Sequence, residues 1–146
     1  MLTQEGAEKL IVSNLLIRDI ECYQAYGNQK SYDLIAISKN GKKTARIEVK
    51  SRHNQYAKKI TGSNFKHKTP PFPDFYVSVF IKSFKNKILV SPNNIEIDIL
   101  VLPKNIVHSK KHTHIGEKGN YFYPNRIDDI NKYLNNYELI TDFLSV

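Results

Sequence analysis

The chain has 146 residues, 40% of them apolar, which is enough for one compact domain with a sizeable core and tight for two. No stretch approaches the roughly 18 apolar residues of a membrane span, and the N-terminus lacks the basic, apolar, small-residue order of a signal peptide, so a soluble cytoplasmic protein is expected. Cys22 is the only cysteine, which excludes an intramolecular disulfide and a CxxC zinc cluster and reads as a small buried apolar residue.

The net charge of +8 is unevenly spread: from Lys39 to Lys68 ten Lys and Arg residues face the single acid Glu48. Such a concentration suits a polyanion, because neutralising phosphates releases counterions. The plainer alternative is a solvated lysine-rich surface.

In chain order, residues 3 to 23 place Leu10, Ile11, Leu15, Leu16, Ile17, Ile20 and Tyr23 at helical spacing, with Thr3 as the N-cap. Gly27 to Lys30 is turn chemistry. Tyr32 to Ser38 and Thr44 to Ser51 then read as two strands around Lys39-Asn40-Gly41-Lys42, the Asn-Gly pair being a strong hairpin signal. His53 to Asp74 is polar, basic and closed by Pro70-Pro71-Phe72-Pro73, a loop with at most a short helical piece. Phe75 to Ser83 and Ile95 to Leu102 are strongly apolar strands, with a short one at Lys87 to Val90 and a helical turn at Lys104 to Val107. Residues 109 to 125 read as a basic loop, and Ile127 to Leu144 as a closing helix carrying Ile130, Tyr133, Leu134, Tyr137, Ile140 and Leu144. The expectation is a single α/β domain over 1–146, a mixed central sheet flanked by the first and last helices.

The hairpin allows a geometric test of which side chains meet. With Asn40 and Gly41 as a two-residue type I′ loop, residue numbers across the ladder sum to 81, and Asp33 lies opposite Glu48. Asp33, Glu48 and Lys50 then project from one face, and Leu34, Ala36, Ala45, Ile47 and Val49 from the other, toward the core. Carboxylates directly opposite one another repel, so something cationic is expected between them. Lys50, one pleat along, helps only partly. A hard divalent ion such as Mg²⁺, with Mn²⁺ as a substitute, removes the conflict when held by Asp33, Glu48 and the Val49 carbonyl. It would polarise a phosphodiester and acidify a bound water, with Lys50 stabilising developing charge.

Tyr32-Asp33-Leu34-Ile35-Ala36-Ile37, a short turn and Arg46-Ile47-Glu48-Val49-Lys50-Ser51-Arg52 resemble the core motif of the PD-(D/E)xK, restriction-endonuclease-like nuclease superfamily, nearest to its Holliday-junction-resolvase-like and restriction-enzyme-like branches. Tyr32 stands where the namesake proline would be. The resemblance covers residues 5 to 105 in order of elements and includes Phe72-Pro73-Asp74-Phe75-Tyr76-Val77-Ser78-Val79 as the third core strand. It implies a catalytic acid on the first helix. Glu8, which lies on the apolar stripe of Ile11, Val12 and Leu15, is the candidate, and Glu5 competes. The implied activity is Mg²⁺-dependent endonucleolytic cleavage, more of DNA than of RNA, with Lys42, Lys43, Arg46, Arg52, Lys58, Lys59, Lys66 and Lys68 along the backbone. A two-fold homodimer would suit double-strand cutting.

Taken singly, these residues have plainer roles: Asp33 a turn cap, Glu48 and Lys50 a strand salt bridge, Glu8 a solvated helix acid. His108, His112 and His114 lie beside Lys110 and Lys111, where phosphate contact or plain exposure is favoured over zinc because no carboxylate or cysteine completes a ligand set. Tyr121, Phe122 and Tyr123 fit either base stacking or closure of the core, the second being preferred. Two other functions stay open: a catalytically inactive nucleic-acid-binding or assembly subunit, and a basic face that meets an acidic protein.

Overall fold

The computed structural model describes residues 2–25, 32–53, 63–65, 72–85, 88–116 and 119–146, with backbone alone at a few positions among them. Helix α1 (Leu2–Ile17) opens the fold. It ends in a Schellman motif: Ile20 N–H donates to the Leu15 carbonyl, Asp19 N–H donates to the Leu16 carbonyl, and Asp19 takes the left-handed φ of 61°. The apolar spacing runs on through Ile20 because Ile20 packs back into the core after the turn. The helix expected to reach Tyr23 therefore stops at Ile17, and β1 (Glu21–Gln24) takes its place.

Strands β2 (Leu34–Ile37) and β3 (Thr44–Arg52) form the expected hairpin, with Leu34 opposite Ile47 and Ile37 opposite Thr44, so paired numbers sum to 81. The turn differs. Ser38 N–H donates to the Lys43 carbonyl at 2.8 Å and Gly41 N–H to the Ser38 carbonyl at 2.9 Å, with positive φ at Gly41 and not at Asn40. A four-residue loop thus replaces the type I′ turn, which needs positive φ at both central residues. Both loops are centred on the same point, so the register is unchanged.

After β4 (Ser63–Phe65) come β5 (Phe75–Ile81), the short pair β6 (Phe84–Lys85) and β7 (Ile88–Leu89), and β8 (Ile97–Pro103). Then follow α2 (Lys104–Val107), β9 (Thr113–Gly116), β10 (Gly119–Phe122), two 3₁₀ turns at Pro124–Arg126 and Ile130–Tyr133, and α3 (Glu138–Ser145). The main sheet runs β1-β2-β3-β5-β8, mixed because β3 and β5 are parallel while the other pairs are antiparallel. Strands β4, β10 and β9 form a second, antiparallel sheet, so 109 to 125 is a hairpin and not a loop, and 53 to 74 contributes a strand.

Alternation splits the main sheet between two cores. On one face Leu34, Ala36, Ala45, Ile47, Val49, Phe75, Val77 and Val79 pack against Ala7, Ile11 and Leu15 of α1 and Ile140 and Leu144 of α3. On the other, Tyr76, Phe80, Leu100 and Leu102 pack against Val107, Phe122, Ile127 and Tyr133. The segment from Ile130 to Leu144 serves both: it crosses the outer edge of β8, where Leu134 bridges Leu100 and Asn135 N–H donates to the Ile99 carbonyl. The continuous helix expected from Ile127 is broken there, Asn135 adopting a φ of 51°, although Tyr133, Tyr137, Ile140 and Leu144 are all buried as its spacing requires. Among the described residues no helix is long and apolar enough to cross a membrane.

Candidate active site

Glu48 and Lys50 stand on the face opposite α1, whereas Asp33 reaches the side of β3 beyond the end of β2 and meets Glu8 of α1. Asp33 precedes β2, tied on both sides: its N–H donates to the Ile47 carbonyl at 2.8 Å, and its carbonyl accepts from Ala25 N–H at 2.7 Å. The paired register itself ends at Leu34 and Ile47, and Asp33 hangs from that same Ile47 carbonyl just beyond it, near enough for its charge to act on Glu48. Because Glu48 and Lys50 are two apart on β3, they share a face and pair at 2.9 Å. Across the parallel register Glu48 neighbours Tyr76 and Lys50 neighbours Ser78.

Strand β3 outruns β2, which leaves Val49 and Ser51 without a backbone partner on that side among the described residues. Two side chains replace the missing strand. Asp33 Oδ2 accepts the Val49 N–H at 2.7 Å. Gln4, in the first turn of α1, donates Nε2 to the Val49 carbonyl at 2.8 Å, while its Oε1 accepts from the Ser51 N–H at 3.0 Å and the Ser51 hydroxyl at 2.9 Å. The ladder is thus completed by polar groups that converge beside Glu48 and Lys50.

Glu8, one turn beyond Gln4, is half-buried and within hydrogen-bonding reach of Asp33. Burial, then the Asp33 charge and the shared hydrogen bond, raise its pKa above the usual carboxylate value. Glu5 faces outward and pairs with Lys9 at 2.9 Å, which lowers its pKa. It is therefore Glu8, not Glu5, that stands beside Asp33. Glu48 is raised too: burial outweighs the opposing pull of Lys50, and Asp33 adds to the rise. Its side chain is only 14% exposed, and Oε2 is buried with no hydrogen-bond partner among the described residues.

An orphaned carboxylate oxygen beside two further acids fits a hard divalent cation, which prefers oxygen donors and would satisfy Oε2. Among the described residues, no three His, Cys, Asp or Glu side chains are already gathered into a ligand set. Glu8, Asp33 and Glu48 would therefore have to tighten around an ion, with the Val49 carbonyl as a fourth donor. That carbonyl has two lone pairs, one of them used by Gln4.

The cations expected along a nucleic-acid backbone divide. Arg52 shares the face of Glu48 and Lys50 at the end of β3; its Nη1 donates to the Ser51 carbonyl at 3.0 Å, and burial lowers its pKa. Arg46 lies on that face also, but its Nε is 3.7 Å from Asp74, whose Oδ2 accepts the Arg46 N–H. Lys42 is exposed on the hairpin loop. Lys43 lies over the Phe143 ring, 4.1 Å from its centroid, on the face covered by α3. Lys58, Lys59, Lys66 and Lys68 fall outside the described residues. Of the three histidines, His108 Nε2 meets the Tyr76 hydroxyl at 2.8 Å and His112 Nδ1 meets the Ile106 carbonyl at 2.9 Å; the side chain of His114 is not described. Phe122 is buried in the second core, as preferred, while Tyr123 stacks with Arg126. Gln4 was not legible as a site residue, since one amide in a first helical turn looks like any solvated polar residue.

A cavity of about 430 Å³ lined by Ile20, Ile37, Lys39, Thr141 and Leu144 lies at the opposite end of β2 from Asp33 and holds none of these groups. No family model and no curated protein matches the sequence. Among solved structures the chain is similar to a bacterial homing endonuclease, I-Ssp6803I, with a TM-score of 0.57 and 14% identity over 97% of this chain and 91% of that one. At that identity the likeness concerns architecture: this α/β chain, with its five-stranded mixed sheet and both terminal helices packed on one face of it, shares the fold of that protein.

Proposed function

We propose that this protein is a divalent-metal-dependent endonuclease of the PD-(D/E)xK type that hydrolyses phosphodiester bonds in nucleic acid, DNA in preference to RNA. The observation that carries the reading is the buried Oε2 of Glu48, which has no hydrogen-bond partner among the described residues while Oε1 pairs with Lys50. Fold similarity to an endonuclease and the basic stretch from Lys39 to Lys68 support it from independent directions.

In this reading Asp33, Glu48 and Glu8, with the Val49 carbonyl, hold Mg²⁺ or Mn²⁺, and the bound ion supplies Lewis acidity and an acidified water. Lys50 places its ammonium where negative charge grows on the phosphorane. Its 2.9 Å pairing with Glu48 sets the ammonium beside the motif carboxylate, a placement that suits electrostatic stabilisation. Asp33 also orders the backbone of the motif through Val49, so one carboxylate serves both ligation and alignment. Arg52 extends the positive surface along the same face toward the substrate backbone. Cutting both strands would use two copies of the site in a two-fold dimer.

The test is cleavage of supercoiled and linear DNA with Mg²⁺ or Mn²⁺, with EDTA controls, comparing the unaltered protein with Glu48→Ala and Lys50→Ala. Cleavage that depends on the metal and disappears in both variants is expected. Equal nicking by all three proteins would mark a contaminant and remove the enzymatic reading. DNA binding without any cleavage would favour an inactive binding subunit.

A further inference from the structure

We infer that Gln4 is a positioning residue for the candidate metal site, fixing the Glu48-Val49-Lys50 backbone so that the Val49 carbonyl presents one defined lone pair to a divalent cation. The inference rests on the metal-site reading above and deepens it.

Gln4 makes three hydrogen bonds to β3, all within 3.0 Å, at the two residues that flank Lys50. The geometry discriminates between the two ends of the amide: Nε2 has a carbonyl before it and Oε1 has two donors, so the orientation is unambiguous. Alternation makes Val49 and Ser51 point to the same side of the strand, so one planar amide bridges them and holds the intervening peptides flat. Without it, the Val49 carbonyl and Ser51 N–H would be free to turn toward water, and the Lys50 Cα between them would lose its fixed direction.

The helix that supplies Gln4 also supplies Glu8. At an i, i+4 spacing both side chains leave one stripe of α1, Gln4 reaching β3 and Glu8 reaching Asp33. Asp33 in turn accepts from Val49 N–H, so the single Val49 peptide unit is bounded by Asp33 on its N–H and Gln4 on its C=O. Gln4 is therefore the element that couples the placement of α1 to the placement of the motif. Groups that orient a metal ligand in this way typically change metal affinity by about 10- to 100-fold when removed.

The experiment measures Mn²⁺ affinity of the full chain by isothermal titration calorimetry, without substrate, for the unaltered protein, Gln4→Met and Ile11→Val. Gln4→Met keeps length and shape but removes the donor and the acceptor. Ile11→Val loosens the packing of α1 through its buried core residue without touching the amide. Expected is a fall of about 10-fold or more in Mn²⁺ affinity for Gln4→Met and little change for Ile11→Val. Gln4→Asn, one methylene too short to reach both partners, is read the same way if circular dichroism shows Gln4→Met unfolded. Unchanged affinity in a folded Gln4 variant, or an equal fall in Ile11→Val, overturns the positioning role while leaving the metal site standing. No Mn²⁺ binding by the unaltered protein removes the metal site itself, and this role with it.

Discussion

Asp33 Oδ2 accepts the backbone N–H of Val49 at 2.7 Å, so a side chain from the start of one strand completes the ladder of the next. The bond separates two duties of one carboxylate. Asp33→Asn keeps an acceptor of the same shape, and its unfolding free energy should stay within about 1 kcal/mol of the original in urea titration, while metal-dependent nicking falls by more than about 100-fold. Asp33→Ala leaves the Val49 N–H unpaired and should lose about 1–3 kcal/mol as well as activity. If Asp33→Asn cleaved normally, the carboxylate would be a strand cap alone.

Glu48 predicts a pH dependence of definite sign. Its folded pKa is raised above the ordinary 4.5, chiefly by burial, so the native state holds the proton more tightly than the unfolded chain. The stabilisation this provides is complete below 4.5 and is lost as pH rises through the raised value. Metal binding needs the ionised acid, so the thermal shift produced by Mn²⁺ should be larger at pH 8 than at pH 5. In metal-free buffer at pH 8, Glu48→Gln should melt about 3 °C higher, since burial of the ionised carboxylate outweighs its pairing with Lys50 and a buried oxygen left unsatisfied costs about 1 kcal/mol or more. It should also show no Mn²⁺ shift. Differential scanning fluorimetry reads both, and a lower melting temperature for metal-free Glu48→Gln would contradict the burial argument.

Lys50 pairs with Glu48 but is assigned to charge stabilisation. Lys50→Met should reduce single-turnover cleavage by about 100- to 1,000-fold with little change in DNA affinity. Lys50→Arg should recover only part of it, because a planar guanidinium does not present charge as an ammonium does. Full activity of Lys50→Met in single-turnover assays would limit the lysine to its salt bridge.

The two faces of β3 give opposite expectations for the cations at its two ends. Arg52 shares the face of Glu48, whereas Lys43 sits over Phe143 on the helix-covered side. In a salt series of DNA binding, Arg52→Gln should lower the slope of log affinity against log salt by about 1, as expected for one lost phosphate contact. Lys43→Gln should leave the slope alone. Equal effects would mean that nucleic acid wraps both faces.

The hairpin was legible because two independent signals agree on it: alternation placed Ala45, Ile47 and Val49 inward, and Asn40-Gly41 placed the turn. The register survived an incorrect turn type because the longer loop is symmetric about the same centre. The end of α1 was not legible, since Asp19 occupies the left-handed position where glycine usually signals a stop. The last third misled for a related reason. Apolar residues at helical spacing from Ile130 to Leu144 fill two separate cores, and spacing alone does not reveal that the chain turns over the edge of β8 between them. Strands β9 (Thr-His-Ile-Gly) and β10 (Gly-Asn-Tyr-Phe) are four residues each and interrupted by Gly, His and Asn, so only their pairing with each other and with β4 identifies them. Asp33, Glu48, Lys50 and Glu8 were legible as candidates because charges on otherwise apolar stripes are conspicuous; Gln4 was not, because its hydrogen bonds to β3 depend on where β2 stops.

The side-chain completion of β3 gives the molecule a built-in reporter. Backbone amides inside the main sheet are held by other strands, and their exchange with deuterated solvent follows opening of the sheet. Those of Val49 and Ser51 are held instead by Asp33 and Gln4, so they are released whenever α1 and the start of β2 separate from β3. Two resolved peaks in an exchange experiment would then time the breathing of this corner directly, in the absence of any metal or nucleic acid.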